Sequence, residues 1–282
     1  MLRTGGAAVR QAGILRRMTY RITLWDRVRS FRHEVSLAIS EHTGRIRRVA
    51  EEVPAGSLPN LSPEAVQRID QLRARYSVCF EGSQDVAGAL QAYEYLDFLD
   101  QALQAWRTEP RDGLVVHDVG CASFSYASAL SCVFHPARLT GIELEGYRRL
   151  RGGVNRAEKA AANVRRLPSA SFVVADYSRF VDQADLITAF FPFVSPKPVL
   201  GWRMPLKVLH PEAMFARIRG NLAPQGTLWM INHSDHEATV AANFAIAAGL
   251  EIVCRHACRV LVRPRPAEPV VSMWKPRDPH DS

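Results

Sequence analysis

The sequence predicts an α/β fold: a mostly parallel sheet that ends in an antiparallel hairpin and is preceded by an α-helical N-terminal region. Three observations carry that expectation. From Leu114 onward, short apolar and β-branched runs alternate with segments of helical period, as in strands joined by crossover helices. Residues 250–262 and 270–274 are both β-rich, with the proline-rich turn 264–269 between them, which suits a terminal hairpin. Before residue 107, apolar residues instead recur at intervals of three and four.

The elements follow in order. Trp25, Val28, Phe31, Val35 and Ile39 share one face of a first helix. A linker over 53–63 leads to a second helix with Ser62 at its N-cap and Pro63 at its first position, where the missing N–H has no partner to lose. In the third helix Val86, Leu90, Tyr93, Leu96, Leu99, Leu103 and Trp106 form one stripe, and the polar stretch 107–113 ends it. That stretch divides a helical region, 1–110, from a sheet-forming domain, 111–276, with a tail over 277–282. The helices are expected to pack over the domain. Strands are predicted at 114–119, 138–144, 171–175, 186–191 and 227–231. Between them, a helix runs over 125–134, a second is opened by Asn155 and Glu158 and ends near Leu167, and a third begins at Pro211. A fourth is capped by Ser234 and Glu237 and closes at Gly249.

Composition narrows the class. With 282 residues, 47% of them hydrophobic, the chain is long enough for a large α/β core with a helical extension. Its longest apolar runs, such as 184–194, fall far short of the roughly 20 residues of a membrane-crossing helix, so no membrane partner is expected. Five cysteines, an odd number without CxxC pairs, read as reduced thiols of a cytoplasmic protein. The net charge of +8 is uneven: residues 1–60 hold 11 arginines against 5 acids. Without interleaved aromatics or a nucleic-acid motif, that excess reads as a solvated helical face, and nucleic acid is not the favoured partner.

The chemistry concentrates in 114–130, LVVHDVGCASFSYASAL. Its apolar strand ends at Asp118 and Gly120, and a helix follows. At the carboxyl end of such a strand, free backbone N–H groups and a helix N-terminus make a crevice suited to polar cofactors. Further on, TGIELEG puts Glu143 at the second strand's end, VVADY puts Asp176 at the third, and ITAFFPF ends the fourth. Leu222, Pro224 and Gly226 form a turn before the fifth.

In this order the signals resemble the class I S-adenosylmethionine-dependent methyltransferases, over roughly residues 114–275, and the resemblance implies a Rossmann-like domain. It implies that Asp118, Gly120, Cys121 and Ala122 cradle the methionine part of S-adenosyl-L-methionine. It further implies that Glu143 holds the ribose hydroxyls and that Asp176, with Tyr177 beside it, lies by the adenine amino group. The physical chemistry is consistent: a carboxylate can accept two hydrogen bonds from a ribose diol, each contributing about 1.5–3 kcal/mol. Glu145 lies beyond the apolar run and is expected to face solvent. Ala122 and Phe124 stand where the family usually has two further glycines, so the backbone is less free to approach a ligand there. A dinucleotide turn, GxGxxG, would need three glycines, and only Gly120 is present.

The acceptor side is less marked. In FFPF, only Pro192 and Phe193 match the Asn/Asp-Pro-Pro-aromatic signature of amino-directed methyltransferases on nucleic acids. The proline-rich loop after Pro192 carries Phe193, Lys197, Trp202, Arg203 and Lys207, a candidate acceptor wall whose cations suit a carboxylate or phosphate. His233, ending the fifth strand, is the candidate general base, while Ser234 and Glu237 beside it are accounted for by capping. Cys254, His256 and Cys258 alternate along a strand and read as a packed row, so no metal is expected. The expected activity is transfer of the sulfonium methyl group to a small, anionic acceptor. The alternatives are an RNA- or protein-directed methyltransferase, or a non-catalytic binding protein on the same sheet.

Overall fold

The computed structural model describes residues 22–42, 58, 61–150 and 153–278. Most of the arginine-rich stretch, most of the 53–63 linker and the end of the tail lie outside the described residues.

Seven strands form one sheet in the order β3-β2-β1-β4-β5-β7-β6. They are β1 (Val115–Val119), β2 (Arg138–Glu143), β3 (Ala170–Val174), β4 (Ala184–Phe190), β5 (Leu222–Asn232), β6 (Leu250–Ala257) and β7 (Val270–Pro276). All neighbours through β5 pair in parallel, whereas β7 pairs antiparallel with both β5 and β6. The predicted α/β architecture with its terminal hairpin is therefore observed, as a Rossmann-like sheet. Strand order reverses between β1 and β4, the switch point beyond whose carboxyl ends open sheets bind ligands.

The alternating side chains of the strands feed two cores. Val116, Leu139, Leu186, Trp229 and Ile231 meet helices on one face, and Ile142, Ile187, Leu228, Met230 and Trp274 meet Phe215, Ile218, Ala241 and Ala245 on the other. Among the described residues the α-helices are, in chain order, α1 (Leu24–His42), α2 (Pro63–Tyr76), α3 (Val86–Trp106), α4 (Ala127–Phe134), α5 (Arg156–Val164), α6 (Pro196–Gly201), α7 (Pro211–Asn221) and α8 (Asp235–Ala247). The first core runs without interruption from α2 and α3 into the sheet, across the stretch at 107–113. Ser62 caps α2 by accepting from Ala65 N–H, and Asn155 and Glu158 form the expected capping box on α5.

Two helices depart from the amphipathic reading. Tyr93, Leu96, Leu99 and Leu103 of the stripe on α3 are buried and Val86, Leu90 and Trp106 half-buried, but Glu94, Asp97 and Asp100 of its polar side are buried too. Arg68 of α2 bonds Asp97 and Asp100, and Arg263 and Arg265 pair with Glu94, so the acids are covered by cations from other elements. On α1 the expectation fails. Trp25, Val28, Phe31 and Val35 are exposed, and the opposite face docks: Asp26 is buried, Ser30 Oγ accepts from Leu206 N–H at 2.8 Å, and Glu34 pairs with Lys207. The surface beneath α1 is polar and cationic, so the polar side of the helix turns inward.

Candidate functional site

The turn after β1 is built on left-handed backbone. Gly120 has φ 73°, and Ala122 and Phe124 have φ 52° and 51°. A left-handed non-glycine residue costs roughly 1–2 kcal/mol, so glycine would be the easier choice at both positions. Phe124 repays its strain by packing: it is fully buried, edge-on to Tyr126 at 5.8 Å. The space it fills exists because residue 141 is glycine, where an added Cβ would lie 2.6 Å from the Phe124 ring and 2.9 Å from Cys121 Sγ. Beyond Gly120 nothing lies within 4 Å of an added Cβ, so that residue presents bare backbone to open space.

That space is a cavity of about 370 Å³. Gly120, Ala122, Glu143, Asp176 and Tyr177 line it from the carboxyl ends of β1, β2 and β3; Phe191, Phe193, Trp202, Met204 and His233 are among those opposite. Asp118 and Cys121 are fully buried and are not in the lining; Lys197 and Arg203, both exposed, are not in it either. Asp118 instead anchors the floor, accepting from Thr188 Oγ1 at 2.5 Å and Tyr126 OH at 2.6 Å. Burial pushes its carboxyl up to about 7 against those two hydrogen bonds, and the charge of Glu143 adds to the rise.

Glu143 is nearly buried, at 5% exposure. Its Oε2 accepts from Ala122 N–H at 2.8 Å, and its Oε1 accepts from Glu145 N–H at 2.8 Å and from Arg156 at 3.0 Å. Three of roughly four acceptor positions are thus filled, which leaves one free, and a second if Arg156 swings away. The Arg156 guanidinium carbon sits 5.3 Å from the Trp202 ring centroid, so the same cation touches both walls. Asp176 accepts through Oδ1 from Ser178 N–H and Oγ at 2.9 and 2.7 Å, capping the 3-10 turn Tyr177–Arg179.

His233 is held by its neighbours. Glu237 accepts from its backbone N–H at 2.6 Å, so the predicted capping pair ties down His233 rather than Ser234 on its return bond. The imidazole stacks on Phe191 at 4.1 Å and 16°, and Arg265 lies 3.3 Å from Nδ1. Because arginine only donates, Nδ1 is the acceptor and the neutral ring carries its proton on Nε2. Burial, and then Arg265, lower its pKa to about 4, with Glu94 opposing. His233 lines the cavity, and in this tautomer its one ring donor is Nε2–H.

Gln91, Tyr95, Arg156, Arg263 and Arg265 also line the cavity and are absent from the sequence-based site. Of seven described non-glycine residues with positive φ, Ser77, Arg107 and His135 cap helices and Arg203 follows the cap of another, while Ala122 and Phe191 line the cavity and Phe124 lies in the turn beside it. Such outliers concentrate at sites where geometry serves function.

No family model matches this chain, and no curated protein does. Among solved structures, a S-adenosylmethionine-dependent methyltransferase from Clostridium acetobutylicum is 10% identical, with 66% of this chain and 92% of that one covered and a TM-score of 0.46. The N-methyltransferase NodS from Bradyrhizobium japonicum, solved with S-adenosyl-L-homocysteine, is 16% identical over 87% and 99%, with a TM-score of 0.46. A TehB-like SAM-dependent methyltransferase from Corynebacterium glutamicum is 18% identical over 75% and 96%, with a TM-score of 0.42. At these identities and scores the likenesses say nothing of this chain's activity. Strand order and register establish the Rossmann-like architecture.

Proposed function

We propose that this chain is a S-adenosyl-L-methionine-dependent methyltransferase acting on a small-molecule acceptor. The observation that supports it best is the opening of two strand-end carboxylates, Glu143 and Asp176, with the bare backbone of Gly120, onto one cavity faced by an aromatic wall. The residues present suit the cofactor: Glu143 could accept from a ribose hydroxyl, Asp176 and Tyr177 would hold the base, and Gly120 would leave room for the methionine portion. When bound, the cofactor supplies an electrophilic methyl on a sulfonium that is already a good leaving group.

The residues of the chain then have to align and enclose the acceptor, and positioning of this kind can contribute about 7–11 kcal/mol. Phe191, Phe193 and Trp202 exclude water, and His233 orients the acceptor through Nε2–H. On this reading His233 is not required as a base, and the rate stays flat from about pH 8 to 5, falling only as the imidazole protonates near its pKa of about 4. His233→Gln, which keeps a donor, should cost kcat less than tenfold, whereas loss of a general base typically costs 10²–10⁴-fold.

Calorimetric titration of the full chain with S-adenosyl-L-homocysteine tests the cofactor assignment. Binding should weaken at least tenfold in Glu143→Gln. Absence of heat, together with absence of protection against thermal unfolding, would falsify the methyltransferase reading.

A further inference from the structure

A cationic corner lies where α1 meets the cavity's rim. Ser30 of α1 docks on Leu206, and one turn further along the same face His33 enters the protein with its Nε2 buried and without a hydrogen-bond partner. Arg148, in the turn after β2, likewise has a buried guanidinium nitrogen, Nη1, without a partner. A buried donor left unsatisfied is costly, more so when it is charged, so two in one corner require an explanation.

The electrostatics say what is missing. His33 is held below its ordinary pKa by burial first, then by Arg29, Arg148, Arg203 and Arg32. Arg148 is lowered by burial and then by Arg156, with Arg203 adding; Glu145 and Glu143 oppose. Among the described residues no salt bridge joins Arg29, Arg32, Arg148 or Arg203 to an acid, whereas Lys207 in the same loop is paired with Glu34. Arg203 is held at φ 56°, a left-handed position after α6 where glycine is the usual occupant. The corner adjoins the cavity. Arg156 donates its backbone N–H to Arg148 O at 3.1 Å and lays its guanidinium against Trp202, which lines the cavity and directly precedes Arg203.

We propose that His33, Arg148 and Arg203 form an oxyanion site at the cavity's rim, holding the carboxylate or phosphate of the methyl acceptor while its nucleophile reaches past Trp202. A neutral His33 with its proton on Nε2 donates to one oxygen, Arg148 Nη1 donates to another, and Arg203 closes over the group from the loop. Arginine suits this task because its donors are fixed and always charged. The acceptor assignment rests on the methyltransferase reading; the oxyanion site does not.

The test uses the full chain with inorganic phosphate and with acetate, each against chloride at equal ionic strength, in thermal unfolding. Phosphate or acetate should raise Tm by at least about 2 °C, and which of them does so tells a doubly from a singly charged ligand. The rise should vanish in Arg148→Gln and shrink in Arg203→Gln, an exposed change that spares folding, while affinity for S-adenosyl-L-homocysteine stays within twofold in both. Without anion, Arg148→Gln should unfold no earlier than the parent. If neither anion protects the parent, or if both variants are protected equally, the site is refuted. Competition between phosphate and S-adenosyl-L-homocysteine would put the anion in the cofactor region and overturn it as well. Anion protection without any S-adenosyl-L-homocysteine binding would overturn the acceptor role and the methyltransferase reading together, leaving only the oxyanion site.

Discussion

Asp118 couples the floor of the cavity to the stability of the whole chain. Its carboxyl titrates near 7 in the folded state and near 4 when unfolded, so between those values the native protein holds a proton that the unfolded chain has lost. Stability from this group is fully present below pH 4 and is lost as pH rises through 7. Its size is on the order of a few kcal/mol, since one pKa unit is about 1.4 kcal/mol. Asp118→Asn keeps an acceptor oxygen for Tyr126 and cannot titrate. Denaturant unfolding from pH 4 to 8 should show a falling limb in the parent that is missing in the variant; identical slopes would contradict the raised carboxyl. That Asp118, Gly120, Glu143 and Asp176 fall at or just beyond strand ends was legible, because the apolar runs stop there. Left-handed Ala122 and Phe124 were not, because nothing in the turn reports that Gly141, on the neighbouring strand, makes room for a phenyl ring.

At the scale of elements, strands and caps were legible because they follow from local periodicity and local hydrogen bonds. The direction in which a helix faces was not. The stripe on α1 has helical spacing, but the ground it meets is cationic, and Ser30, His33 and Glu34 are the side chains that suit it. Phe31, 67% exposed, therefore contributes little to folding. Phe31→Ser should change the unfolding free energy by less than about 0.5 kcal/mol, whereas a buried phenylalanine cut back to Ala costs about 3–5 kcal/mol. A loss near the larger figure in urea unfolding would mean that the stripe is covered in solution. Nor does local pattern report contacts that are distant in the chain: Arg263 and Arg265, at the proline-rich turn 264–269, reach back to Glu94, 169 and 171 residues earlier.

That long-range contact organises the whole molecule around the cavity. Glu94 is almost fully buried on α3, from the helical region, and accepts from Arg263 Nε at 3.0 Å and Arg265 Nε at 2.6 Å on the segment between β6 and β7. Arg265 in turn lies 4.5 Å from the Phe191 ring at the end of β4 and beside His233 at the end of β5. One carboxylate thus fastens the first part of the chain, two strand ends and the C-terminal hairpin at a single wall. Removing it leaves two guanidinium groups facing each other without their counter-ion. Truncating one member of a fully buried pair costs about 3–5 kcal/mol, and the partial exposure of Arg263 and Arg265 reduces that to about 2–3 kcal/mol. Glu94→Ala should lower stability by that amount in denaturant unfolding. Glu64→Ala, which removes only an exposed pair with Arg259, should cost under about 0.5 kcal/mol. Because the freed arginines also border the cavity, Glu94→Ala should weaken S-adenosyl-L-homocysteine binding along with stability, and Glu64→Ala should leave it unchanged. Equal effects of the two substitutions would refute Glu94 as the residue that joins the helical region to the site.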